Sequence, residues 1–143
     1  MPSFEEIMNM PSSEVKPPQA YPVGTYHCLV DGVPEHGKST QKQTDGYTFK
    51  YKILSPYKDV DPMQAAEQQV VGKIIYDTVY VTDPPWRLKE VIDNCGVEGA
   101  ETNRSLRERL SEVPGKQIYV TLRHENSPDG KRVFHRVHAT AKV

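Results

Sequence analysis

YTFKYKIL, residues 47–54, alternates without a break: Tyr47, Phe49, Tyr51 and Ile53 fall on one parity, Thr48, Lys50 and Lys52 on the other. Successive side chains of a strand point to opposite faces, so this segment has an apolar, aromatic face and a basic one. Read on through TFKYKILSPYKDV, Thr48 to Val60, the stretch holds two tyrosines, a phenylalanine and three lysines. Two readings compete. The rings are the dry side of a half-buried strand, or they belong to a surface that holds nucleic acid. On pattern alone the rings sharing the face of Ile53 are core, and Lys50 and Lys52 stand outside.

Working outward, TYHCLVDGV predicts a first strand opened by Gly24, with Tyr26, Cys28 and Val30 opposed to Thr25, His27 and Leu29. PEHGKSTQKQTDG, residues 34–46, is a polar loop. Residues 55–72 read as an insertion with a short helix from about Pro62. KIIYDTVYV predicts a third strand, with Ile75, Val79 and Val81 facing one way and Tyr76, Thr78 and Tyr80 the other. TDPPWRLKEVIDNCG predicts a helix capped by Thr82 or Asp83 and stopped by Gly96, with Trp86, Leu88, Val91, Ile92 and Cys95 on its apolar side. A second short helix starts near Ser105. KQIYVTLRHE predicts a fourth strand, with Ile118, Val120 and Leu122 inward and Tyr119, Thr121 and Arg123 outward. NSPDGKR suits a tight reversal into a fifth strand, VFHRVHATAKV.

Three strands, a helical segment and a two-strand hairpin follow one another in the order of an OB-like barrel. The fold class expected is therefore mainly β: a five-stranded OB-like barrel, with the helical segment between strands three and four. Another small β-barrel or an α+β sandwich fits the same string. Residues 23–143 form this domain. Residues 1–22 are a short helix capped by Ser3, followed by an extended arm rich in proline (Pro2, Pro11, Pro17, Pro18 and Pro22).

The chain has 143 residues, 36% of them hydrophobic, which suits one domain with a modest core. With 18 basic and 19 acidic side chains the net charge is −1. Bulk charge thus does not attract nucleic acid, and any such binding needs a locally basic face. Cys28 and Cys95 show neither metal spacing nor a disulfide framework and are expected as reduced thiols. No apolar run reaches the length of a membrane span, and SFEEIM is too acidic and short for a signal peptide.

Catalytic and metal chemistry find little support. His135 and His138 are three apart, a spacing that puts them on opposite faces of a strand and forbids joint chelation. GVPEHGKS, residues 32–39, matches the pattern Gly-x-x-x-x-Gly-Lys-Ser. A working phosphate loop opens a helix, however, and here a polar run leads into a strand. The match is read as chance, although Lys38 and Lys42 could still meet a backbone phosphate. No nucleophile has a base at a recognisable spacing, so the chain is not expected to be an enzyme, and neither a metal nor another cofactor is expected.

The outward residues make a more coherent set. If the strands pair as a barrel, Lys50, Lys52, Tyr76, Tyr80, Tyr119, Arg123, Lys131, Arg132 and Arg136 lie on its exterior, three rings among six cations. Single-stranded nucleic acid is held by that combination, since cations follow the phosphates while bases stack on rings. The bland alternative is that the tyrosines cover strand edges and the lysines solubilise.

PSSEVKPPQAYPVGTYHCLVDG, FKYKILSPYKDVD, RLKEVIDNCGV and PGKQIYVTLRHE together resemble a group of small bacteriophage proteins. The shared features are a Pro-x-Gly-x-Tyr lead-in to strand one (Pro22, Gly24, Tyr26), a Leu-Lys helix before a glycine (Leu88, Lys89, Gly96) and a Gly-Lys lead-in to strand four (Gly115, Lys116). That group is similar in layout to phage single-stranded DNA-binding proteins of OB type. The resemblance implies a non-enzymatic replication or recombination accessory that coats single-stranded DNA in the host cytoplasm. Its partners would be phage replication proteins or further copies of itself. HATAKV carries no acidic run of the kind that recruits partners in many such proteins, so recruitment by that route is not expected. The alternative is a virion structural or assembly protein, a capsid decoration or connector component, docking through the N-terminal arm.

Overall fold

A computed structural model describes residues 3–14 and 19–143. Ser3 caps a short helix, α1 (Phe4–Met8), by accepting from the Glu6 amide, and a 3-10 turn (Ser12–Glu14) follows. Of the extended arm expected from the end of this helix to residue 22, residues 15–18 lie outside the described residues.

The body is mainly β, a six-stranded antiparallel sheet of β1 (Gly24–Val30), β2 (Glu35–Lys38), β3 (Asp45–Pro56), β4 (Ile74–Tyr80), β5 (Gln117–Asn126) and β6 (Val133–Lys142). Long β3 organises it. One edge of β3 pairs first with β2 and then with β1, and the other edge pairs with β4. β1 continues to β5, and β5 to β6. The sheet is not closed, because no ladder joins β4 to β6 among the described residues. Each is antiparallel to a strand antiparallel to β1, so these two edges run in the same direction.

Six strands replace the five expected. The extra one, β2, lies in the segment read as a polar loop. All four residues of EHGK are exposed, so backbone pairing with β3 holds the strand and no apolar alternation marks it. Gly37 and Lys38 pair with Gly46 and Asp45 within this hairpin, so the Gly-Lys-Ser run opens a turn and no helix.

Period two holds in β3. Phe49, Tyr51 and Ile53 are buried with Tyr26, Cys28 and Val30 of β1 and Ile118, Val120 and Leu122 of β5. Burying this much apolar surface is the main stabilising term. Helix α2 (Pro62–Gln68) is capped by Asp61, whose side chain accepts from the Met63 and Gln64 amides. Helix α3 (Trp86–Asn94) buries Leu88, Val91 and Ile92, and Cys95 follows at its C-cap. Trp86 departs from the expectation and is 60% exposed. A helix turns about 100° per residue, which puts Trp86 roughly opposite the Leu88–Cys95 stripe. The expected Thr82 or Asp83 cap is also absent. The cap position is Pro85, without a side-chain bond, and the Thr82 hydroxyl donates to the Pro84 carbonyl.

Helix α4 (Leu106–Leu110), capped by Ser105, carries the buried cation Arg109. Its guanidinium donates to Asp93 and to the carbonyls of Val97 and Glu98, tying α4 to the end of α3. Burial acts to raise Asp93. Hydrogen bonds from Lys89 and Arg109 outweigh it and hold that carboxyl below its usual range.

The Pro-x-Gly-x-Tyr lead-in has a physical basis. The Tyr26 hydroxyl donates to the Pro22 carbonyl at 2.7 Å, both residues being buried. Gly24 sits at φ +133, where an added Cβ would lie 2.6 Å from Val60, so only glycine fits.

Candidate nucleic-acid interface

The outer side of the β3–β4 pair is set by register. Lys50 stands opposite Tyr76, Thr48 opposite Thr78 and Gly46 opposite Tyr80. The two threonine hydroxyls are 3.0 Å apart, which fixes the face between the tyrosines. Tyr76 is 62% exposed and Tyr80 45% exposed. The missing Cβ of Gly46 lets the Tyr80 ring lie close over the strand.

From these rings the surface drops into a cleft of about 540 Å³ at the open seam between β4 and β6. Tyr76, Asp77, Thr78, Tyr80, Trp86, Arg87, His135 and Arg136 line it. β4 supplies one wall and β6 the other, and the start of α3 adds Trp86 and Arg87. Three exposed rings and two guanidinium groups thus share one recess. Beside Tyr80, the turn of residues 39–44 brings Lys42 to a second depression.

Tyr21 straps one end of the seam. Its hydroxyl donates to the Ile74 carbonyl of β4 at 3.1 Å, and its amide donates to His135 Nδ1 of β6 at 3.1 Å. The Tyr21 and His135 rings stack with centroids 4.3 Å apart and planes 7° from parallel. Nδ1 accepts only when unprotonated, so the strap needs neutral His135. Burial, with His124 second, lowers the His135 pKa and supports that state.

Asp77 is the unexpected member. It faces inward from β4, opposite Phe49, in the row of Ile75 and Val79. Its Oδ2 is buried without a hydrogen-bond partner, and so is the hydroxyl of Tyr51. Asp77 makes no ion pair among the described residues. Burial pushes its carboxyl above the ordinary range, while Arg87 and Arg136 act the other way. Burial, with Asp77 second, holds the Tyr51 hydroxyl well above the usual tyrosine range.

The nine expected site residues therefore divide. Tyr76, Tyr80 and Arg136 meet at the cleft. Lys50 lies beside Tyr76, and exposed Lys52 follows along β3. Arg123 stands opposite Arg136 across the β5–β6 ladder, and exposed Lys131 and Arg132 occupy the hairpin between those strands. Tyr119 belongs to another patch, on the β1–β5 face against His27 and Tyr57. Acidic neighbours also enter, for Lys50 pairs with Glu35 at 3.2 Å and Arg136 with Glu125 at 2.9 Å. Exposed pairs of this kind exchange partners at little cost.

Sequence reasoning missed Trp86, Arg87 and Asp77. Trp86 was legible in its position on the helical wheel. Asp77 was legible as the polar break in the inward row of β4.

Cys28 and Cys95 are free and buried, and burial pushes both thiols up to about 12. Such thiols do not supply a nucleophile. No group of three or more His, Cys, Asp or Glu side chains converges on a metal position among the described residues. No helix among them is long and apolar enough to cross a membrane. No family model matches the chain, and no curated protein matches it.

Proposed function

We propose that this chain is a non-enzymatic single-stranded DNA-binding protein, and that its sheet is an OB-type barrel left open at the β4–β6 seam. One observation carries the reading. Tyr76, Tyr80 and Trp86 expose their rings around a single cleft whose lining also holds Arg87 and Arg136. Rings of this kind stack on bases of any sequence, at roughly 1–3 kcal/mol per base. Lys50, Lys52, Arg87 and Arg136 take the phosphates nearest the cleft. Arg123, Lys131 and Arg132 extend the path around β5–β6, and Tyr119 offers a separate stacking position. The strand order supports an OB-type layout. β1, β3 and β4 form a meander, α3 and α4 follow, and the β5–β6 hairpin joins β5 to β1. With the phage resemblance, the role is that of a replication or recombination accessory in the host cytoplasm, meeting phage replication proteins or its own copies.

Anisotropy titration of a labelled single-stranded oligonucleotide tests the site. Tyr76→Ala and Tyr80→Ala should each weaken binding about fivefold or more, the loss of one stacked base. Unchanged affinity in both would remove the cleft from the binding surface.

A second reading rests on α1, whose Phe4, Ile7 and Met8 are all exposed, as is Met10 just beyond it, and which buries no residue. A short helix with an exposed apolar side suits docking onto another subunit, as in a virion decoration or connector component.

A further inference from the structure

We propose that helix α1 of one copy docks into an apolar groove between α4 and the β2–β3 hairpin of a second copy. The inference rests on the docking of α1 in the second reading above. It goes further by naming the partner and the surface that receives the helix.

The donor is α1. Phe4, Ile7 and Met8 stand at i, i+3 and i+4 and so share one face of the helix. They are 73%, 51% and 65% exposed, and α1 buries none of its residues against its own body. Glu5 follows Phe4 by about 100° around the axis and flanks that face.

The receiver is a groove of two neighbouring depressions, about 380 and 420 Å³, which share His36, Tyr47, Arg107 and Leu110. Tyr47, Val81 and Leu106 form its floor, packed against the core yet only partly buried. Val33, 63% exposed, stands at one end. Arg107 is exposed and makes no ion pair among the described residues. Asp45, the carboxylate of the lining, is engaged by His36 at 2.8 Å.

An amphipathic helix enters an apolar groove through anchors at i, i+3 and i+4, the set that α1 carries. Phe4, Ile7 and Met8 cover the groove floor, and Glu5 meets Arg107. Each surface supplies what the other lacks, and both belong to this chain, which makes a second copy the occupant. Helix and groove are different surfaces, so the contact is heterologous, and every docked pair still offers a helix and a groove to further copies.

Sedimentation equilibrium of the full chain over a range of concentrations tests this. The average mass should rise with concentration past that of a dimer. Ile7→Asp spoils the helix alone and Val33→Asp the groove alone, and both positions are exposed, so the fold should stand. Each variant should be monomeric by itself, and their mixture should give a complex of one chain of each and nothing larger. Arg107→Glu should weaken association about fivefold, the upper end for one exposed ion pair. A natural chain that stays monomeric throughout would overturn the second copy as occupant, and oligonucleotide binding, titrated separately, would be untouched by that result. Association that persists in either single variant, or a mixture that stays monomeric, would overturn the helix–groove pairing. Unchanged association in Arg107→Glu would remove Arg107 from the contact.

Discussion

Asp77 shows at the scale of one residue how a polar side chain in an apolar row changes stability and chemistry together. Burial raises its folded-state pKa, so between the ordinary and the raised value the folded chain binds more protons than the unfolded one. Its contribution is therefore most favourable below the ordinary carboxylate pKa and is lost as pH rises through the folded value. Asp77→Asn removes the buried charge. It should raise Tm at pH 7 by roughly 2–5 °C and give no gain near pH 3, as thermal unfolding by circular dichroism would report. A lower Tm at pH 7 would mean that the carboxylate is satisfied in solution. Much of this residue-level picture was legible beforehand. Parity in a strand is a strong signal, and it assigned Phe49, Tyr51 and Ile53 to the core and Lys50 and Tyr76 to the outside. Trp86, expected on the apolar side, is exposed because its angle on the helix sets it opposite Leu88, Val91 and Ile92. The pairs of Glu35 with Lys50 and Glu125 with Arg136 are not legible in the sequence, because ion pairs across strands depend on register.

Elements were legible where they carry their own apolar pattern, and illegible where a neighbour makes them. Strand β2 exists because β3 offers it a ladder, and EHGK alone says nothing of it. The domain boundary near residue 22 shows the same dependence. Proline content predicts that an arm follows the short helix up to residue 22, and the end of that stretch is held to the body: Ala20 accepts from Gln68, Tyr21 spans β4 and β6, and the buried Pro22 accepts from Tyr26. Deletions should separate the two parts. Removing residues 1–18 should leave Tm within about 2 °C, because α1 buries nothing. Removing residues 1–22 should cost on the order of 1–3 kcal/mol, since the buried Tyr26 hydroxyl loses its acceptor and the seam loses its strap. Equal stability of the two deletions would contradict the strap. The shorter deletion also addresses the second functional reading. Loss of higher-order assembly with unchanged DNA affinity would favour docking through α1.

At the scale of the molecule, charge is nearly balanced and the argument depends on local arrangement. Mainly-β class and the position of the helical segment followed from the order of periodic segments, because strand and helix periods differ so plainly. The open seam did not follow, since closure depends on whether two distant edges reach each other in space. That seam creates the cleft, and the cleft gathers cations and rings that the sequence scatters over sixty residues, from Tyr76 to Arg136. Titration of labelled oligo-dT with the full chain, at about 50 and about 200 mM salt, tests this account most directly. It predicts saturable binding that weakens with salt, with a log–log slope near −2 to −3 for three or four phosphate contacts at ~0.7 each. Absence of binding at the lower salt, or binding indifferent to salt, would contradict it.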